Sequence, residues 1–288
     1  MLNLLVAPAK VNHKAEAVIK KVVKLLKAEN TEYSVYFSHN NDELCKIAEE
    51  LVQMNETDIV VVGGNVAVHT VLNAIKDVGK IKLGIIPTGE DDDFVKFMQL
   101  ETNPVKAIKN ILNSKPQAVD YLTANNTIVL NNIMVGASAE VAEAYCNYNL
   151  KGALPNLVAT LKHGKNFNGI ELLLDTKTGK PKKELIFDMS ICNTGISAGK
   201  NVSPLSNPND GLLNLTYAKF LERPERAKYL LSAKKGKHIY AQHTKQQWLK
   251  AVRLTNEAKS IKAVLDGSVY TFDELNISVV EKGLKIYK

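Results

Sequence analysis

Residues 3–7 form a short apolar run that reads as a strand. Residues 15–26 follow with Val18, Ile19, Val22, Val23, Leu25 and Leu26 at helical spacing. Residues 33–37 predict a second strand. Asn41 then resembles an N-cap, with Leu44, Ile47, Ala48 and Leu51 on one helical face. Residues 58–62 (DIVVV) are compact and β-branched, as in a strand buried on both faces of a parallel sheet. Gly63 and Gly64 stop that strand, residues 66–75 read as a helix, and residues 81–86 as another buried strand ending at Pro87. Pro104 opens a helix to residue 112. Strands alternating with helices predict a parallel sheet with right-handed crossovers.

After residue 116 the pattern changes. Short strand-like runs now follow one another at 127–130, 170–174, 185–191 and 212–218, with residues 175–182 (DTKTGKPK) as a hairpin turn. Helical patterns remain only at about 139–148, 154–162 and 224–232. The expected fold is an α/β N-terminal domain with a parallel, Rossmann-like sheet, plus a mostly antiparallel, β-sandwich-like C-terminal domain. The boundaries expected are 1–120 with about 276–288 for the first domain and 121–275 for the second, the run at 284–287 returning to the first.

Composition is that of an ordinary globular chain: 288 residues, 45% hydrophobic and 23% charged. Cys45, Cys146 and Cys192 are odd in number and form no CxxC pair, which argues against a disulfide framework or a zinc knuckle. The opening MLNLLVAPAK is too briefly apolar for a signal segment, and no apolar run reaches the roughly 20 residues that span a bilayer. A cytoplasmic protein, peripheral at the inner membrane surface, is expected. The net charge of +7 favours anionic partners, small phosphorylated molecules or an anionic membrane surface. It is too modest to imply nucleic acid, and none is expected as a partner.

Val60 to Ile75 is a buried strand, two glycines and a helix. Glycines let backbone amides approach an anion, and the helix that follows presents free N–H groups and a positive dipole end. The joint reads either as a phosphate cradle or as a tight connection. LGIIPTGEDDDF (83–94) leads a second buried strand into a Pro-then-Gly loop on the same sheet edge. Its acids, Glu90 to Asp93, fit either a helix's first turn or a hard cation. Downstream, Asn207, Pro208, Asn209, Asp210 and Gly211 form a strong turn before a strand, and Asp266-Gly267 has the form of a two-residue hairpin turn. Residues 219–253 carry ten Lys or Arg against Glu222 and Glu225, with Tyr229, Leu230, Leu231, Tyr240 and Trp248 interleaved. That mix suits either an anionic lipid surface or a solvated basic face, with nucleic acid a weaker third reading.

Taken in order, these segments resemble the diacylglycerol-kinase-like bacterial lipid kinases, which share a catalytic core with the NAD kinases. The resemblance covers nearly the whole chain. The family's opening Asn-Pro loop corresponds to Val6-Ala7-Pro8-Ala9, and its Gly-Gly-Asp-Gly-Thr to Gly63-Gly64-Asn65-Val66-Ala67. Its Pro-x-Gly-Thr-x-Asn-Asp-Phe corresponds to the run from Pro87 to Phe94, with Gly89 and Glu90 at the phosphate-contacting places. Ser38 stands for a nucleotide-touching Thr, Asp120 for an Asp between the domains, and Asn131 and Gly136 for Asn-x-x-x-x-Gly. Pro204 and Asn209-Asp210-Gly211-Leu212-Leu213 match a late Pro and Asn-Asp-Gly-Leu-Leu. Asp266-Gly267-Ser268 matches the final Asp-Gly-Glu.

The resemblance implies ATP-dependent phosphorylation of a lipid hydroxyl, with ATP and Mg²⁺ as cofactors. Partners would be a nucleotide, a lipid or anionic membrane surface, and a second copy of the chain. It implies a nucleotide site at Ser38, Gly63, Gly64, Asn65, Val66, Ala67, Gly89 and Glu90. Asp210 would hold magnesium with oxygens of Asn207 and Leu212, and the catalytic hairpin would be Asp266 and Ser268, the latter at the position of the general base. The departures set a rival reading, a catalytically inactive relative serving as a nucleotide- or lipid-binding regulatory module; NAD kinase is a third. Asn65 replaces an acid, Val66 a glycine and Ala67 a hydroxyl. Glu90 adds negative charge beside a triphosphate, and Ser268 lacks a proton acceptor, which typically costs roughly 10²–10⁴-fold in rate. Very weak or absent turnover is expected.

Overall fold

The computed structural model describes residues 1–8, 15–88, 92–147 and 153–288. The chain divides into two compact units: unit 1, residues 1–121 and 281–288, and unit 2, residues 122–280.

Unit 1 contains β1 (Leu2–Val6), α1 (Ala15–Ala28), β2 (Tyr33–Phe37), α2 (Asn41–Gln53), β3 (Asp58–Val62), α3 (Asn65–Ala74), β4 (Lys82–Ile86), α4 (Asp93–Phe97) and α5 (Pro104–Asn113); β5 (Pro116–Ala124) leads out of it. The sheet order is β4-β3-β1-β2, all parallel. Continuous apolar strands are what two covered faces demand. Leu4, Val6, Val60 and Val62 meet Ile19, Val22 and Leu26 of α1 and Ile108 and Ile111 of α5 on one face. The two-residue period turns Leu5, Ile59 and Val61 to the other face, and there α2 packs on α3.

The cap of α2 lies one residue before the expected Asn41. Asn40 is extended and its Oδ1 accepts the Glu43 N–H at 2.8 Å, while the Glu43 carboxylate reaches back to the His39 N–H at 2.6 Å. That reciprocal pair lets the helix begin at Asn41 itself.

Unit 2 comprises β6 (Thr127–Val129), β7 (Asn132–Gly136), α6 (Ala137–Cys146), α7 (Ala153–Lys162), β8 (Ile170–Asp175), β9 (Lys182–Cys192), β10 (Ile196–Ser197), β11 (Lys200–Asn201), β12 (Leu213–Lys219), α8 (Arg223–Ser232), β13 (Thr244–Leu249), β14 (Ala251–Thr255), β15 (Ile261–Leu265), β16 (Ser268–Phe272) and most of β17 (Glu274–Tyr287). Its pairings are antiparallel. The long β9 is central: its first half pairs with β8 and its second half lies between β7 and β12. Leu172, Ile186, Met189, Ile191, Leu215, Leu254 and Ile277 fill the core.

The two ends of β17 belong to different units. Leu275 to Ser278 pair with β14 in unit 2, whereas Lys285 and Ile286 pair in parallel with Lys82 and Leu83 of β4 in unit 1. In unit 1 the Tyr287 hydroxyl donates to Asp58, which also holds Lys82 at 3.2 Å. No described helix is long and apolar enough to cross a membrane.

Candidate functional site

In unit 1 the strand ends converge as parallel topology requires. The Ser38 hydroxyl is buried at the end of β2 and donates to the Val6 carbonyl at 2.8 Å. β3 stops at Gly63, whose N–H bonds Ile86 O of β4 at 3.1 Å. A Cβ on Gly63 would sit 2.8 Å from Ala67 Cβ and 3.0 Å from Ala7 Cβ. Neither methyl can rotate away, so glycine is needed here for close approach. Gly64 is the N-cap of α3 and no side chain caps it. The first amides of a helix have no intrahelical acceptor, so this end is a ready anion cradle. Ala67 is buried and Val66 half-buried beside it.

Asn65 has a specific partner. Its Nδ2 donates to Asp93 Oδ2 and its Oδ1 accepts the Phe94 N–H, both at 3.4 Å. The amide therefore ties α3 to the start of α4, a donor-and-acceptor task that a carboxylate at 65 could only half perform. Asp92 and Asp93 are both buried. Gly89 and Glu90, with Asp91, lie outside the described residues. Asp120 is also buried, and its Oδ1 accepts the Lys282 N–H at 2.7 Å.

In unit 2, Asp266 (φ 47°) and Gly267 (φ 92°) form the two-residue turn between β15 and β16. The left-handed conformation at both places is what Asp-Gly supplies. The Asp266 carboxylate is buried and fully used. Oδ2 accepts the Leu130 N–H at 2.7 Å, and Oδ1 accepts those of Asn131 at 2.8 Å and Asn132 at 3.0 Å. This side chain braces the β6–β7 connection. Ser268 follows, half-buried at the start of β16. Asn131 is buried in the same brace, its Oδ1 accepting the Thr194 hydroxyl.

The 207–212 turn exposes Asp210, whose Oδ1 accepts the Leu212 N–H at 2.9 Å; Asn207 Oδ1 accepts the Asn209 N–H at 3.2 Å. Beside it Ser206 Oγ and Asn214 Oδ1 are buried without a hydrogen-bond partner. An oxygen-only donor set of this kind, with a single carboxylate, fits a hard cation that keeps most of its water. Among the described residues no three His, Cys, Asp or Glu side chains cluster as a tighter metal site would need. Cys45 and Cys192 are free thiols.

Sequence reasoning missed a second polar group in unit 2. Asp188 interrupts the apolar β9, and its carboxylate accepts both the N–H (2.8 Å) and the hydroxyl (3.0 Å) of Ser138, in the first turn of α6. Burial pushes this carboxyl up to about 6, against the pull of Ser138 and Lys200. His238 is buried edge-on to Tyr229, shares a hydrogen bond with Val202 O at 3.1 Å, and is pushed down by burial to about 4. An acid inside a strand is the one sequence mark that could have flagged Asp188.

Residues 2–124 match the diacylglycerol kinase catalytic domain, and residues 131–288 match the YegS C-terminal NAD kinase beta sandwich-like domain. A "Putative lipid kinase" of Staphylococcus aureus (strain Mu3) is 25% identical over 193 residues, or 63% of this chain. That match spans 62% of the relative's length. Among solved structures, a "putative diacylglycerol kinase" from Bacillus anthracis aligns with a TM-score of 0.79 at 18% identity, covering 99% of this chain and 94% of that one. An NAD kinase from Archaeoglobus fulgidus in complex with ATP aligns at 0.58 and 15% identity, covering 100% and 94%. At these identities the structural likeness shows the fold.

Proposed function

We propose a function from the premise that this chain belongs to the diacylglycerol-kinase-like lipid kinase family, whose domains match both its halves: slow, ATP-dependent phosphorylation of a lipid hydroxyl of the diacylglycerol type. The observation that carries the reading is the α3 end, where an uncapped helix N-terminus follows a glycine that no other residue can replace without a clash. ATP, when bound, supplies the phosphoryl group, and magnesium offsets its charge. The chain's own residues divide the remaining work. Gly63 and Gly64 let the α3 amides reach phosphate oxygens, and Ser38 fixes the end of β2 at that sheet edge. Asn65 holds the α3–α4 connection in register. Asp210, with oxygens of Asn207 and Leu212, would hold a separate magnesium ion that braces the second domain. Ser268 occupies the position of the general base without a carboxylate, which is why turnover is slow. The protein works at the inner face of a membrane, where its substrate resides.

One observation favours the binding-module reading. The carboxylate nearest Ser268 in sequence, Asp266, is committed to three amides and is not free to take a proton. Calorimetric titration with ATP and magnesium separates the readings when paired with transfer assays. The proposal expects saturable ATP binding by the wild-type chain, weakened at least tenfold by Gly63→Val. Equal affinity in the variant would remove the cradle from the account.

A further inference from the structure

Helix α7 is built inside out. It buries its small residues, Ala159 and Thr160, the latter returning its hydroxyl to Asn156 O at 2.9 Å. The large apolar residues described on it face outward: Leu157 is 38% exposed, Val158 45% and Leu161 39%. At about 100° per residue these three fall within one quadrant-wide stripe. A surface helix that seeks only the core shows the opposite arrangement. Neighbouring α8 lies against α7. Its Leu230 closes over Gly164, where a Cβ would meet Leu230 Cδ1 at 2.5 Å, and the next residue, Leu231, is 47% exposed. Four large apolar side chains on two touching helices are thus left to solvent.

Charge decides what covers them. No Asp or Glu occurs from residue 144 to 170. The acids of α6, Glu140 and Glu143, are held by Lys262 at 2.9 and 2.6 Å. Lys219 and Lys245 share Glu184, and Arg253 pairs with Asp175. By contrast Lys162, Lys165 and Lys228, on or beside α7 and α8, are exposed and make no ion pair among the described residues. The exposed acids of these two helices, Glu222 and Glu225, are confined to the start of α8, while Leu231 lies in its last turn. An apolar stripe bordered by lysines matches the interface of an anionic bilayer, with acyl chains below and phosphates above.

We propose that α7, together with Leu231 of α8, is a membrane-docking element that sets Leu157, Val158 and Leu161 among the acyl chains of an anionic bilayer while Lys162, Lys165 and Lys228 meet its headgroups. The docking gives the lipid kinase reading its access to substrate and rests on that reading for its purpose, though not for its test.

The test is sedimentation of the nucleotide-free chain with vesicles of phosphatidylcholine alone or mixed equally with phosphatidylglycerol. The wild-type chain is expected to bind the anionic vesicles, and salt to weaken that binding. Leu157→Ser with Val158→Ser and Leu161→Ser should reduce partitioning about tenfold at a temperature where the variant keeps the circular dichroism of the folded chain, although its unfolding midpoint falls because more than half of each side chain is covered. Lys162→Glu with Lys165→Glu and Lys228→Glu should remove the preference for anionic vesicles. Leu161→Trp in a Trp248→Phe background gives a second readout: its emission should shift to the blue and be quenched by brominated acyl chains. Undiminished binding by the triple serine variant would overturn the proposal. So would a dimer, seen by light scattering, that this variant splits while vesicle binding persists, since a second copy would then cover the face. Failure of lipid phosphorylation leaves the docking intact. Conversely, a variant that phosphorylates detergent-dispersed lipid but no longer binds vesicles leaves the kinase reading intact.

Discussion

Replacing Asp266 separates a brace from a catalyst. Its carboxylate accepts three buried backbone N–H groups at 2.7, 2.8 and 3.0 Å. Hydrogen bonds to a charged group contribute roughly 1.5 kcal/mol or more each, and a buried amide left without an acceptor carries its desolvation cost. Asp266→Ala should therefore cost about 4–5 kcal/mol, with about 1 kcal/mol more because φ at this residue is 47° and alanine resists that conformation. Asp266→Asn tolerates the conformation, keeps an oxygen for Asn131 and Asn132, and turns an NH₂ toward Leu130. It should lose about 2 kcal/mol. Trp248, the only tryptophan, lies in β13 of unit 2. Urea unfolding followed by its fluorescence should rank wild type above Asp266→Asn above Asp266→Ala. If Asp266→Ala unfolds within 1 kcal/mol of wild type yet loses lipid phosphorylation, the side chain acts chemically and the brace is wrong.

Other predictions follow from single contacts. Gly63→Ala would press a methyl against Ala7 and Ala67, costing roughly 1–3 kcal/mol on thermal unfolding; an unchanged midpoint would mean that β3 and α3 are looser than described. Asn65→Asp, the apparent restoration of the family's acid, sets a second carboxylate 3.4 Å from Asp93. It should destabilise by at least ~1 kcal/mol, the repulsion of such a pair even in bulk water, and Asp93→Asn should relieve it; a stabilised single variant would refute the contact. Asp188 and His238 have opposite pH signs. Asp188, raised from 3.8 to about 6, contributes stability that is present below pH 3.8 and lost as pH rises through 6. His238, lowered from 6.5 to about 4, contributes stability that is present above pH 6.5 and lost as pH falls through 4. Each amounts to about 3 kcal/mol, so they nearly cancel in the wild type. Asp188→Asn should then lose stability on acidification from pH 6.5 to 4, and His238→Gln should gain it. Parallel pH profiles for both variants and wild type would contradict the assignment.

The parts of the fold legible in the sequence are those whose signal is local. DIVVV and LGII read as strands because burial on both faces forces continuous apolar runs. Strand β13 escaped notice because TKQQWL is mostly polar and does not alternate, and β14 because the alternation of AVRLT lasts only five residues. β17 was foreseen only at its last residues, since most of its 14 residues carry no run longer than two or three apolar positions. The site divides in the same way. Gly63 and the Asp266-Gly267 turn were visible because close approach at the first and a left-handed backbone at the second dictate those residue types. The partnership of Asn65 with Asp93, 28 residues away, was not, nor was the grip of Asp266 on amides more than 130 residues earlier. Such contacts exist only after the strands have paired.

The central claim is transfer of phosphate from ATP to a lipid alcohol by this chain. Incubation with γ-labelled ATP and magnesium, against a panel of detergent-dispersed lipid alcohols with NAD as a control, tests it directly. The account predicts label in a diacylglycerol-type lipid and not in NAD. Turnover should fall well below the typical enzyme rate of about 10 per second, with the label lost in the Gly63→Val variant. No label in any lipid, label in NAD, or transfer that survives Gly63→Val unchanged would contradict it.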